Sequence, residues 1–174
     1  NYEQSSTTTN ALIIKYDIDG NILNTEIIEG NINEKIVDII ATSDNKLVVI
    51  GTYDDEILVL SDGTVFENES TKGYSYADGF VIKYSENFNV EWIKNISGPK
   101  NETFLGIQET RDGKIVVGGT SNSWEIGVKF DPTYGIRLID AYFDKYYSFI
   151  TRYSSDGVVE YGTPLGWFGP TYVF

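Results

Sequence analysis

Residues 112–123 read DGKIVVGGTSNS, and residues 44–55 read DNKLVVIGTYDD. Aligned, they place Thr42, Asp44, Lys46, Val48, Val49, Gly51 and Thr52 over Thr110, Asp112, Lys114, Val116, Val117, Gly119 and Thr120, seven agreements in eleven positions. Upstream of each lies a second shared stretch, LIIKYDIDGNIL at 12–23 and FVIKYSENFNVE at 80–91. Tyr16 precedes Gly51 by 35 residues, and Tyr84 precedes Gly119 by 35. Two motifs held at one spacing mark a duplicated structural unit.

A third, more divergent copy is read from EIGVKFDPTYGIRL at 125–138 and SSDGVVEYGT at 154–163. Tyr84 to Phe130 spans 46 residues, taken as the basic period, whereas Tyr16 to Tyr84 spans 68 and therefore holds about 22 extra residues. The copies run over about 10–52, 78–120 and 124–163, with an insert at 53–77 whose EILVLSDGTVFE turns at Asp62 and Gly63. Long loops on rigid scaffolds often carry specificity, so if the insert carries function its deletion is expected to leave the fold intact and abolish binding, whereas unfolding on deletion would mean that it caps an open blade face.

The periodicity is that of strands. KLVVIGTY and KIVVGGT are short, β-branched and bounded by turn residues, and Asp-Gly pairs recur at 19–20, 112–113 and 156–157. EKIVDIIATSD at 34–44 is the one rival for a helix; its β-branched content and its counterpart FLGIQETRD at 104–112 favour a strand. The second copy is expected to place strands at 79–85, 89–96, 103–110 and 114–120. Four short antiparallel strands per unit of this length is the signature of a β-propeller blade, so the fold class expected is all-β, with about three four-stranded blades. A single blade is apolar on both faces and must be buried between neighbours.

DGFVIKYSENFNVEWIKNISG followed by TRDGKIVVGGTSNS resembles the β-propeller repeat of bacterial secreted and surface proteins. In that repeat an Asp-Gly-Phe-Val-x-Lys strand leads to a Trp, here Trp92, and then to an Asp-Gly hairpin ending in Gly-x-Thr. The match is good in the second copy, moderate in the first, where Asn10 and Ala11 replace Asp-Gly, and poor in the third, which has Glu125 and Ile126. The resemblance implies a scaffold, with export and display on the bacterial cell surface, and it carries over no catalytic residue. Three blades do not close a ring. Either the chain is a segment of a longer array, the reading preferred, or two copies complete one ring, and self-association is expected of the open flanks. The repeat phase assigns Ser6 and residues 172–174 to neighbouring blades, and the absence of an initiating Met fits a processed or excised piece.

Composition narrows the chemistry. With 41% apolar and 22% charged residues the chain has the makings of a hydrophobic core. It contains no Cys and no His, which excludes disulfides, thiolate zinc sites, imidazole ligands and Ser-His or Cys-His catalysis. Asp and Glu outnumber Lys and Arg by 26 to 13, and a net charge of -13 repels nucleic acid and anionic lipid. No apolar run reaches membrane-helix length, so no membrane insertion is expected. NYEQSSTTTN at the start shows no signal peptide.

Candidate sites are few. Asp54, Asp55 and Glu56 could hold calcium at the mouth of the insert, or be a solvated loop. Asp17, Asp19 and Asn21 open like a calcium loop, but Ile22 and Ile28 stand where Gly and Glu are required, and a hairpin turn is the better reading. Tyr74, Tyr76 and Trp167 could stack on a sugar or protein ligand, the alternative being packing between blades. Trp92 sits at the repeat's Trp position and is read as structural. Asn68, Asn95 and Asn101 begin Asn-x-Ser/Thr triplets. The function expected is a non-catalytic binding or display scaffold taking a carbohydrate or protein ligand, with no cofactor beyond calcium. The alternative is part of a polysaccharide hydrolase working through Asp and Glu.

Overall fold

A computed structural model of the chain describes residues 9–30, 32–54, 57–67, 76–123, 127–131, 134–136 and 146–167. Among these residues there is no helix, and fourteen strands follow one another. They are β1 (Ala11–Tyr16), β2 (Ile22–Glu29), β3 (Glu34–Ala41), β4 (Leu47–Tyr53), β5 (Ile57–Leu60), β6 (Val65–Glu67) and β7 (Asp78–Tyr84). Then come β8 (Val90–Ile96), β9 (Glu102–Glu109), β10 (Ile115–Ser121), β11 (Val128–Asp131), β12 (Tyr134–Ile136), β13 (Tyr147–Tyr153) and β14 (Val159–Trp167).

One turn joins β1–β2, β3–β4, β5–β6, β7–β8, β9–β10 and β13–β14. The residue that opens each loop donates its N–H to the carbonyl four residues on, and its carbonyl accepts from the residue three on. That third residue has positive φ: Gly20, Asn45, Gly63, Phe88, Gly113 and Gly157. This is a type I turn followed by a left-handed bulge, which explains the recurring Asp-Gly pairs. In five of the six the opening side chain, Asp17, Thr42, Ser85, Thr110 or Ser154, caps the backbone N–H four residues on. Asp17 is thus engaged in a hairpin turn.

The hairpins assemble into three four-stranded antiparallel sheets, in the orders β1-β2-β5-β6, β3-β4-β7-β8 and β9-β10-β13-β14, with β11-β12 as a separate pair. The strand positions expected for the second copy agree with β7 to β10 to about a residue. Their partners differ from that expectation: β7-β8 join β3-β4, and β9-β10 join β13-β14. The cause is the burial demand of β4 and β7. Both are apolar on both faces, and β7 is buried along its whole length, so each needs a strand on either side and a layer above and below.

The three sheets are stacked, and the middle one contributes to two cores. Val49, Tyr53, Phe80, Ile82 and Tyr84 pack with Ala11, Ile13, Ile28 and Leu58 of the first sheet. Val48, Ile50, Val81 and Ile96 pack with Phe104, Ile115, Val117 and Phe149 of the third. Alternate residues of β4 and β7 therefore serve opposite neighbours.

The repeated Gly-x-Thr now has a physical reason. A Cβ at Gly51 would stand 2.1 Å from the Phe80 ring and 2.4 Å from the Lys35 carbonyl; at Gly119 it would stand 2.4 Å from the Phe149 ring and 2.5 Å from the Thr103 carbonyl. Gly51 faces Phe80 in the β4–β7 register just as Gly119 faces Phe149 in the β10–β13 register. The structural counterpart of β7 is therefore β13, not β11, and the spacing from Tyr84 to Tyr153 is 69 residues, matching the 68 from Tyr16 to Tyr84. In this correspondence β5-β6 answers to β11-β12.

The insert is a working part of the first sheet. β5 pairs with β2, and Leu58 and Leu60 are buried against the middle sheet. Its hairpin closes one of the two cores, the packing expected of an insert that caps an open sheet face.

Candidate functional site

A cleft of ≈ 180 Å³ opens between the first and middle sheets, its wall part apolar and part polar. β6 supplies Phe66 and Glu67, β8 supplies Ile93, Lys94 and Asn95, and Ser97, Lys129 and Asp131 complete the wall. Backbone bonding at the outer edge of β8 creates this geometry. Ser97 N–H donates to the Lys129 carbonyl at 3.0 Å and Lys129 N–H donates to the Ser97 carbonyl at 2.8 Å, so β11 extends the middle sheet past the rim of the first.

Charges in the cleft balance. Lys94 Nζ lies 4.0 Å from Asp131 Oδ2, while exposed Lys129 and exposed Glu67 offer a second cation and a second carboxylate. Asn95 and Ser97 are buried, and Phe66 and Ile93 provide apolar surface that packs on the first core. On a chain of net charge -13, this wall is locally balanced, with two cations, two carboxylates and an aromatic ring.

A second polar cluster is sealed inside. Glu102 and Asp78 are 1% and 0% exposed. Glu102 Oε1 accepts from Ser121 Oγ at 2.6 Å and from Ser123 Oγ at 2.5 Å, and its carboxyl shares a hydrogen bond with Asp78. Burial first, and the neighbouring Asp78 second, push Glu102 up to about 9, so one proton is held between two carboxyls. A Cβ at Gly98 would stand 2.6 Å from Glu102 Oε1, and one at Gly30 would stand 2.1 Å from Glu34 Oε1. The sequence carries this arrangement twice, as Gly30 to Glu34 and Gly98 to Glu102 with Asn33 and Asn101 before each Glu. That recurring Gly-x-x-Asn-Glu was the legible signal of it. With no solvent access, the pair stores a proton and does not meet a substrate. Glu26 is likewise raised by burial, while accepting from Ser61 N–H and Tyr84 Oη.

The residues singled out in the sequence fall elsewhere. Asp54 follows β4 and is half-buried; Asp55, Glu56 and Tyr74 lie outside the described residues. Tyr76, half-buried, precedes β7, and the backbone of Trp167 ends β14 opposite Tyr147. Tyr53 pairs with Asp78, and Ser121 with Tyr147, so Asp54, Tyr76 and Trp167 all sit where β4 and β10 finish, at the ends of the sheets and not in the cleft. Among the described residues no group of three or more Asp or Glu is placed to hold a metal ion. Asn95 is buried in the cleft wall, Asn101 Oδ1 accepts from Ala77 N–H at 2.9 Å, and Asn68 lies outside the described residues. Trp92 stacks on Tyr153 with ring centroids 5.9 Å apart and donates from Nε1 to the Ser155 carbonyl at 3.0 Å. It is a tie between the middle and third sheets.

No protein-family model matches the chain, and a search of curated proteins finds no match. No helix among the described residues is long and apolar enough to cross a membrane.

Proposed function

We propose that this chain is a non-catalytic binding scaffold, a run of propeller-type blades from an extracellular bacterial protein, whose cleft takes a neutral carbohydrate. The observation that carries the reading is the composition of the cleft: Lys94 and Asp131 joined across β8 and β11, with Asn95, Ser97 and Phe66 beside them. A sugar hydroxyl both donates and accepts, and an aromatic face takes the C–H side of the ring. The buried carboxyls support a structural role for the acidic residues of the interior, since they have no access to a ligand.

The test is a glycan-array screen followed by NMR titration of any hit. Shifts confined to Phe66, Lys94, Asn95 and Lys129, abolished by Asp131→Ala in a folded variant, are expected. Binding unaffected by Asp131→Ala sinks the assignment of the cleft. Glu67 and Asp131 are two carboxylates on one cleft, which gives the hydrolase reading its specific form; release of reducing sugar, lost in Glu67→Gln, would replace the scaffold with that enzyme.

A further inference from the structure

Two hairpins of this chain leave the sheet of the strands on either side of them and close on the sheet before. β5–β6 follows β4 and precedes β7, both of the middle sheet, yet β5 pairs with β2 of the first, Ile28 with Leu60 and Glu29 with Val59. β11–β12 lies between β10 and β13 of the third sheet, yet β11 bridges to β8 of the middle one at Ser97 and Lys129. Each hairpin is a latch from one sheet onto its predecessor. The first latch also carries Phe66 and Glu67, its share of the cleft wall.

A polar joint sits at the same point of both latches. Lys94 follows Glu26 by 68 residues, the interval that relates Tyr84 to Tyr16. At the second latch Lys94 Nζ lies 4.0 Å from Asp131 Oδ2, and the buried Tyr153 hydroxyl of the third sheet donates to the adjoining Phe130 carbonyl at 3.2 Å. At the first, Glu26 Oε1 accepts from the Ser61 N–H at 3.2 Å, and the buried Tyr84 hydroxyl of the middle sheet donates to the same oxygen at 3.4 Å. Ser61 Oγ accepts in turn from the Ile27 N–H at 2.8 Å. The joints differ in charge. The second holds a cation with its carboxylate, whereas Glu26 is 2% exposed and, among the described residues, forms no ion pair with Lys or Arg. The titratable groups that face it are Tyr84 and, from the hairpin turn, Asp62. A carboxylate is costly to bury without a cation, and a second carboxylate nearby adds to the cost. Burial outweighs the two donors, so the docked arrangement favours the protonated acid.

We infer that Glu26 is a proton-operated catch on the first latch: β5–β6 is held to the first sheet while Glu26 keeps its proton, and opens more readily as Glu26 ionises. The sign follows from burial. Below 4.5, the ordinary value, the carboxyl is protonated whether the hairpin is docked or open. Above it, an open hairpin leaves Glu26 in water and ionised while the docked form retains the proton. Docking therefore weakens by up to about tenfold per pH unit, until the docked group ionises too. The second latch, joined by an ion pair, has no such catch and is an internal control. Because β6 carries Phe66 and Glu67, the cleft wall is most secure in acid. That consequence for binding rests on the cleft's being the ligand site; the docking equilibrium does not.

The experiment is amide hydrogen exchange followed by NMR from about pH 4 to about pH 8, corrected for intrinsic rates and made without any ligand. Amides of β5 and β6 report the first latch, those of β11 the second, and those of β7 the opening of the whole fold. In the wild type, protection of β5 and β6 is expected to fall several-fold more than that of β7 or β11, with the Ser61 N–H resonance moving over the same pH interval. Glu26→Gln keeps an acceptor for Ser61 but has no proton to lose, and its β5–β6 protection is expected to be level with that of β7 throughout. Tyr84→Phe removes a donor to the ionised form, so the fall is expected to move to higher pH. That shift and the Ser61 resonance decide the point if Glu26→Gln does not fold. Protection of β5 and β6 that is independent of pH, or that falls only in parallel with β7 or β11, overturns the inference. So does a fall that persists in Glu26→Gln, or one that Tyr84→Phe leaves in place.

Discussion

Replacing Glu102 by Gln tests the sealed carboxyl pair. In the folded chain Glu102 keeps its proton up to about 9, against an ordinary value of 4.5. Above 4.5 the unfolded chain releases that proton and the folded chain does not, so folding becomes less favourable as pH rises, until the folded group also ionises. At about 1.36 kcal/mol per pH unit, the interval from 4.5 to neutral pH weakens the fold by roughly 3 kcal/mol through this group alone. Gln keeps the shape and the acceptor for Ser121 and Ser123, and its amide donates to Asp78, but it has no proton to lose. Urea unfolding from about pH 5 to about pH 8 should show the wild type weakening steadily and Glu102→Gln nearly flat, with the variant the more stable at the upper end. Glu26, also raised by burial, leaves a smaller residual slope in both. A variant that weakens with pH as steeply as the wild type, or that is less stable at pH 8, would show that the proton is not held there.

Gly51→Ala and Gly119→Ala should each cost about 1–3 kcal/mol, because the new methyl meets a backbone carbonyl as well as a ring; shortening Phe80 to Leu beside Gly51→Ala should recover only part of it, measured by thermal unfolding. Deleting residues 53–77 removes Leu58 and Leu60 from the first core and should expose apolar surface, read as dye binding and a lost or broadened transition. Trp92→Ala removes the stack on Tyr153 and the bond to Ser155 and should cost about 2–3 kcal/mol, with a fall in the near-ultraviolet circular dichroism signal. An intact transition after the deletion, or a neutral Trp92→Ala, would mean that these ties do not join the sheets.

The strands and turns were legible because each is a local property. Alternating β-branched runs and Asp-Gly pairs encode extended segments and bulged turns wherever they occur. Pairing was not legible. β4 and β7 read as continuous apolar runs, which say that a strand is buried on both faces without saying which strands flank it. In the third copy the Gly of Tyr161-Gly162-Thr163 also lies under a ring, with a Cβ there standing 2.1 Å from Phe130. The same steric demand therefore produced the same Gly-x-Thr at a different place in the sheet. The structural counterpart of FVIKYSENFNVE is FITRYSSDGVVE at 149–160, which carries Arg152 for Lys83 and Gly157 for Phe88. The cleft had no local signal, since Lys94 and Asp131 meet only because a single bridge between Ser97 and Lys129 lays β11 beside β8.

The pairing of each hairpin with one from farther along the chain is the claim on which the rest depends, and cross-strand nuclear Overhauser contacts measure it directly. Backbone contacts joining Gly51 to Phe80 and Gly119 to Phe149, with no backbone ladder between β8 and β9, are the expected result. A continuous ladder between β8 and β9, as four consecutive strands in one sheet would give, contradicts it.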